Sequence, residues 1–426
     1  MIARAMTTAD ETAQATQRPA KKPRDPRLDF FRGIAMLIIF IAHVPGNVWT
    51  LYIPARFGWS DAAEMFVFCS GFAAAIAFGG TFLKAGFGYG VARILYRVWQ
   101  VYAAHIGMFF YIALIVAAGT YVLEGRDYIG QLNLTWFFEH TDRALLGLFT
   151  LTWVPNFFDI LPMYIVALAM VPAIMALSLV HRLAPIAASL TLYWANHFLG
   201  WGLPAELWKE GYSREWFFNP LAWQLLFFTG FSFAMGWLPP PPKSKALTWV
   251  CALYVLVSIP TAHWPTAQDY ELTRWVREVI WAFQGKTDFG IVRYLHFLAL
   301  AYLALRIVEG REAQLLSRWA MPIVTVGRNS LAVFLLSMGL ARLGGMALDL
   351  LGESWLTFPL VNLGGMAILI LFAYWCTMLK RQPWREKARR SAAATPAERR
   401  AAQIESERSA PRGIEDLPPA SAARAE

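Results

Sequence analysis

The sequence predicts an all-α, polytopic integral membrane protein with about ten transmembrane helices, and three observations lead there. Of 426 residues, 57% are hydrophobic and only 16% charged, a balance foreign to a domain that must keep a charged surface in water. Apolar runs of roughly 17 to 25 residues recur, each long enough to cross a hydrocarbon core of about 30 Å as a helix, which excludes a transmembrane β-barrel. Basic residues gather at the ends of these runs and in the tails, where they report topology.

In chain order, residues 1–26 are polar and rich in Ala and Thr, with Lys21, Lys22 and Arg24 near their end. This is too long and polar for the n-region of a signal peptide and reads as a disordered cytoplasmic tail. Residues 27–380 form one membrane domain with spans expected at 28–45, 62–80, 91–119, 158–180, 184–200, 220–238, 246–260, 291–308, 322–343 and 359–379. With the amino terminus inside, Lys84, Arg93, Arg182, Lys243, Lys245, Arg311, Arg318 and the Lys380 to Arg390 cluster all fall on the cytoplasmic side, so both termini are cytoplasmic. The outer loops, near 47–61, 120–157, 201–219, 261–290 and 344–358, hold 11 of the 19 Trp. Such Trp belong to an interfacial aromatic belt or to a groove in which indole faces stack on sugar rings. Pro239 to Pro242 forbid helix and make a stiff cytoplasmic connector. Residues 381–426, rich in Ala, Arg and Glu, read as a second disordered cytoplasmic tail with one helical stretch at 385–407. No internal repeat is visible, which weakens a secondary-transporter reading.

The net charge of +9 does not point to nucleic acid, because the basic residues lie at helix ends rather than along an aromatic-interleaved surface. Cys69, Cys251 and Cys376 show no CxxC or His-Cys spacing, so neither a disulfide framework nor a metal site is expected. HExxH, P-loop, dinucleotide and GxSxG patterns are absent.

Ionisable groups inside membrane helices are costly, and the first helix has three: Asp29, Arg32 and His43. Eleven residues at about 100° each fall some 20° past three full turns, so Arg32 and His43 share a face, roughly 16 Å apart along the axis. One face thus offers a cation near the cytoplasm and an imidazole near the outside. An acyl-CoA matches that shape, with phosphates at one end and the thioester at the tip of an extended arm. Neutral imidazole then takes the proton from an attacking hydroxyl, while Arg32 holds phosphate or pantetheine groups. The plainer alternatives are an Asp29–Arg32 pair at i,i+3 and a His43 that only bonds a neighbouring carbonyl.

Several stretches carry a resemblance: Arg27-Leu-Asp-Phe-Phe-Arg-Gly through His43, Asp61-Ala-Ala-Glu-Met-Phe-Val-Phe-Cys-Ser-Gly-Phe, Arg93-Ile-Leu-Tyr-Arg, Asp159-Ile-Leu-Pro-Met-Tyr and Gly327-Arg-Asn-Ser-Leu. The Arg-x10-His arrangement resembles the membrane-bound acyltransferase-3 superfamily, and the set over residues 25 to 385 resembles the OpgC family, which succinylates osmoregulated periplasmic glucans. The resemblance implies a ten-helix enzyme of a bacterial-type inner membrane that takes an acyl group from cytoplasmic acyl-CoA and places it on an external glycan. His43 and Arg32 carry over as matching positions. Arg93 and Arg97 match the basic pair at the cytoplasmic start of the superfamily's third helix, although Val98-Trp99-Gln100 stands where that family usually has a proline.

Glu64 and Asp61, at the start of the second helix, are candidates to orient the imidazole; Ser60-Asp-Ala-Ala-Glu also reads as a capping box. Asp159 opens the fourth helix on the same side as a further candidate, with capping as its alternative. Asn329 and Ser330 lie at the cytoplasmic start of the ninth helix as CoA contacts or helix glue. His105 and His197 read as hydrogen-bonded core residues. The expected activity is O-acyl transfer with His43 as general base, succinyl-CoA as leading donor and co-substrate, and no tightly bound cofactor or metal. Partners are the glucan or related glycan acceptor and membrane lipid. A succinyl carboxylate requires an outer cation, for which Arg56, Arg126, Arg274 and Arg277 are candidates. The rival is an exporter of a glycan or anionic metabolite with Arg32 and His43 in its pathway.

Overall fold

A computed structural model describes residues 25–211 and 214–385. The tails, including the stretch expected to be helical at 385–407, therefore lie almost wholly outside the described residues. The described chain is helical, its only β pairings being the isolated bridges Trp153–Glu206 and Pro204–Glu215. Packing divides it into two units, residues 1–374 and 375–426. Of the second, the described part begins with the last turns of a helix, carrying Lys380 and Arg381.

In the first unit, α1 (Pro26–His43) starts on Asp25, whose carboxylate accepts from the Arg27 N–H at 2.9 Å, with Pro26 at the first helical position. It stops at Val44, which is extended because Pro45 follows. The next helix, α2 (Ala62–Lys84), contains a π-helical stretch at Ala75–Gly79. Then come α3 (Phe87–Val122), α4 (Ile160–Leu177), α5 (Ala184–Leu199), α6 (Pro220–Met235), α7 (Lys245–Ala262) and α8 (Ile291–Val308). The expected ninth helix is two, α9 (Met321–Arg328) and α10 (Ser330–Leu351), and α11 spans Thr357–Arg381.

Every expected span is thus helical, and seven helices (α2, α3, α4, α7, α8, α10 and α11) are long and apolar enough to cross a membrane. The protein is a multi-pass membrane protein. Three fall short for local reasons: α1 includes Arg27, Asp29 and Arg32, while α5 and α6 have 16 residues each. At 36 residues, α3 is about 54 Å long and must project beyond a hydrocarbon core of about 30 Å.

Two expectations are corrected around residues 321–358. The break at Asn329 arises because its side-chain amide donates to the Thr325 and Ala373 carbonyls, at 3.0 and 3.1 Å, in place of a continuous ladder. The segment read as an outer loop from 344 is helical through Leu351, ending at Gly352 with φ +77°. The Pro239–Pro242 connector is non-helical, as its prolines require.

Two backbone approaches set the site's frame. A Cβ on Gly33 would stand 2.0 Å from the Ile323 carbonyl oxygen, and one on Gly327 would stand 1.7 Å from that of Asp29, so α1 and α9 meet through reciprocal glycines. Gly71 and Gly230 do the same for α2 and α6, against Phe227 and Phe68 carbonyls. Lipid tails are as apolar as Leu, so close backbone packing of small residues is what favours helix association there.

Candidate functional site

At the start of α1, Asp29 is fully buried and lies 3.4 Å from Arg328 Nε. Arg32 donates to the Ser330 hydroxyl. At the other end, Arg342 Nη2 donates to the His43 carbonyl at 2.9 Å, satisfying an orphan acceptor with a cation at a helix C-terminus. Arg32 to His43 is 11 residues, roughly 16 Å, and Ser330 to Arg342 is 12, roughly 18 Å, so α1 and α10 run side by side in the same direction, bonded at both ends.

The His43 ring bonds through Nδ1 to the Ile39 carbonyl at 2.7 Å. A carbonyl only accepts, so in the neutral ring Nδ1 carries the proton and Nε2 keeps its lone pair. Nε2 has no hydrogen bond among the described residues. The plainer sequence alternative, a histidine bonded to a neighbouring carbonyl, is what the geometry has, and it leaves the ring in the tautomer that a general base requires.

Asp61 and Glu64 do not hydrogen-bond the imidazole. They form a capping box, Asp61 accepting from the Ala63 N–H and Glu64 from the Asp61 N–H, each at 2.7 Å. Both also meet cations that sequence reading missed. Lys286 lies 2.6 Å from Asp61, and Arg293 lies 2.6 Å from Glu64 and 3.5 Å from Asp61. Burial raises the Asp61 carboxyl, but Lys286 and Arg293 more than offset it and hold it well below the usual carboxylate range. Glu64 is fully buried, so its pairing is what makes a carboxylate there tolerable. The hydrogen bond of the His43 ring goes to the Ile39 carbonyl, while both acids, the expected orienting groups, face closer cations. Asp61, Lys286 and Arg342 still act on the imidazole through space.

Arg293 is one turn from His296, which is buried between Ser60 Oγ, 2.7 Å from Nδ1, and Ser258 Oγ, 2.9 Å from Nε2. Together Arg293 and His296 clamp residues 60–64 onto α8. The i,i+3 spacing of Arg293 and His296 inside an apolar run was the available signal.

Asp159 precedes α4 without capping it; its carboxylate instead accepts from the Phe217 N–H at 2.9 Å, pinning the 201–219 loop. Burial pushes this carboxyl up to about 6, against the lowering influence of the Phe217 N–H and Arg214. Two residues earlier, Phe157 has φ +73°, a left-handed conformation costing about 1–2 kcal/mol in a non-glycine residue. Its ring meets His43 edge-on at 5.6 Å between centroids and has the Arg342 guanidinium over it at 5.1 Å. Strain of this kind persists only where the surrounding structure holds the residue in place.

Arg93 and Arg97 stand elsewhere. Both are on α3, where Arg93 donates to Thr81 and lies over Phe78 at 5.4 Å while Arg97 donates to Gln100 at 3.2 Å. None of these bonds reaches α1. His197 bonds the Tyr193 carbonyl at 3.0 Å as expected. His105 does not fit its expectation: it is fully buried with neither ring nitrogen bonded among the described residues, because it faces an apolar seam with Val101, Met108 and Phe109. No His, Cys, Asp or Glu group among the described residues is arranged to hold a metal ion.

Membrane-crossing helices around a buried polar site, with an imidazole at the end of a charged first helix, define a polytopic membrane protein. Residues 24–381 match the family model described as OpgC protein. The chain belongs to the OpgC family, and membership suggests a membrane acyltransferase for glucans. No curated protein matches the chain.

Proposed function

We propose that the protein transfers an acyl group, with succinyl leading, from cytoplasmic acyl-CoA to hydroxyls of a periplasmic glucan or related glycan. In this reading it lies in the inner membrane with ten crossings and both termini cytoplasmic, within the acyltransferase-3 superfamily. The observation that carries it is the His43 ring, whose Nδ1 is engaged by Ile39 while Nε2 is left as an acceptor beside a strained Phe157.

The acceptor hydroxyl attacks the thioester carbonyl as His43 Nε2 takes its proton. The tetrahedral intermediate then collapses, the C–S bond breaks, and the imidazolium returns the proton to the departing thiolate, leaving ester and free CoA. Arg32, at the far end of α1, holds the CoA portion, with Ser330 beside it. Arg93 and Arg97 act further out, capturing phosphate at the cytoplasmic end of α3. Asp61, Glu64 and Asp159 serve as positioning groups: the first two fix the charge around His43, and the third holds the outer loop.

The test is purified protein in detergent with succinyl-CoA and a glucan. The enzyme releases free CoA thiol in proportion to ester formed. If neither ester nor CoA appears, while the protein in vesicles moves glycan across the bilayer, the export reading takes its place.

A further inference from the structure

We infer that Arg342 is the donor-specificity residue, binding a free carboxylate on the acyl group being transferred; the inference rests on the acyl-transfer reading, in which succinyl is the leading donor. Arg342 is 7% exposed on α10 and has no acidic partner within salt-bridge distance among the described residues. Other cations of the protein are differently placed: Lys286 and Arg293 are matched by Asp61 and Glu64, and Arg126 by Asp349 at 3.2 Å. A guanidinium kept at that depth without a counter-ion is costly, and in membrane proteins such groups mark ligand pathways.

One arm of the guanidinium is spent on the His43 carbonyl and one face on Phe157. The side chain also lines a narrow crevice with Pro45, Tyr128 and Gln131, with about 10 Å³ of free space. That is room for about one water, the place that one carboxylate oxygen would take against the guanidinium. A planar fork of donors is the group that pairs with a carboxylate in two bonds. Because the same arginine is bonded to the backbone of the base, a carboxylate held there fixes the thioester next to His43.

The other cations named from sequence fit less well. Arg56 donates to the Thr50 carbonyl at 3.2 Å, and Arg274 and Arg277 lie on a short helix, Glu271–Ile280, with no buried residue.

The experiment measures kcat/KM of the full chain in detergent for succinyl-CoA and for butyryl-CoA, which has the same chain length without the carboxylate. Wild type should prefer succinyl-CoA. In Arg342→Met, which removes the charge at similar volume, that ratio should fall on the order of 10²-fold, and Arg342→Lys should retain part of it. Loss of the His43 cap alone would lower both donors together and leave the ratio unchanged, which overturns the assignment. If Arg342→Met does not yield folded protein, the ratio in Arg342→Lys decides by the same criterion, about a tenfold fall being expected. A wild type that transfers acyl groups yet favours butyryl-CoA overturns the donor class while leaving acyl transfer standing, and a wild type using neither thioester removes the reading beneath it.

Discussion

At His43 a single hydrogen bond sets the tautomer of the ring. The Ile39 carbonyl fixes the proton on Nδ1, so His43→Ala should cost roughly 10² to 10⁴ in transfer rate while the helix, whose ladder does not need the ring, still forms. Near-normal acylation by that variant in membranes would remove His43 as the base. Arg32 is about 16 Å away along α1, so Arg32→Ala should raise the apparent KM for acyl-CoA more than it lowers kcat. An unchanged donor KM would break the ligand-spanning picture. Asp159 adds a pH effect. Its carboxyl stands at about 6 in the fold, against ~3.9 in an unfolded chain. The folded state therefore binds this proton more tightly, and its contribution to stability grows as pH falls from about 7 toward 4. Asp159→Asn has no such proton, so the variant should lead wild type in Tm near pH 7 and lose that lead by about pH 4. A Tm difference constant across the range would count against a buried, neutralising carboxyl.

The elements are held in register by glycine contacts. Since a Cβ at Gly327 would stand 1.7 Å from the Asp29 carbonyl oxygen, Gly327→Leu must drive α9 off α1 and displace the neighbouring Asp29–Arg328 and Arg32–Ser330 bonds. It should lower Tm sharply and abolish transfer. Gly364 on α11 meets nothing within 4 Å, so Gly364→Ala should be neutral or stabilise by about 0.5–1 kcal/mol. Equal Tm losses in the two variants would contradict the close-packing account. Capping at α2 was legible from Ser60-Asp-Ala-Ala-Glu, and the structure forms that box. The Arg293 and Lys286 partners of the same acids were not legible, because they come from more than 200 residues further along.

For the molecule as a whole, the topology expected from its basic residues sets the proposed direction of transfer. In a variant with the three native cysteines replaced, Lys243→Cys should react only with a cytoplasmic thiol reagent and Glu210→Cys only with an external one, both positions being exposed. The opposite labelling would reverse donor and acceptor sides. Those two labels test the orientation on which the proposed mechanism depends.

Composition and run length were enough to specify membrane helices, because water-free surroundings force each apolar run to satisfy its own backbone. The phase of Arg32 and His43 was equally local, since helical geometry alone places them on one face. What the tertiary structure decided is the company each charge keeps: Ser330 beside Arg32, cations on Asp61 and Glu64, and Arg342 with Phe157 around His43. A charge in a low-dielectric interior is settled by whichever opposite group comes within a few ångströms. That distance is set by helix packing between residues far apart in the chain, a quantity that no spacing within one helix contains.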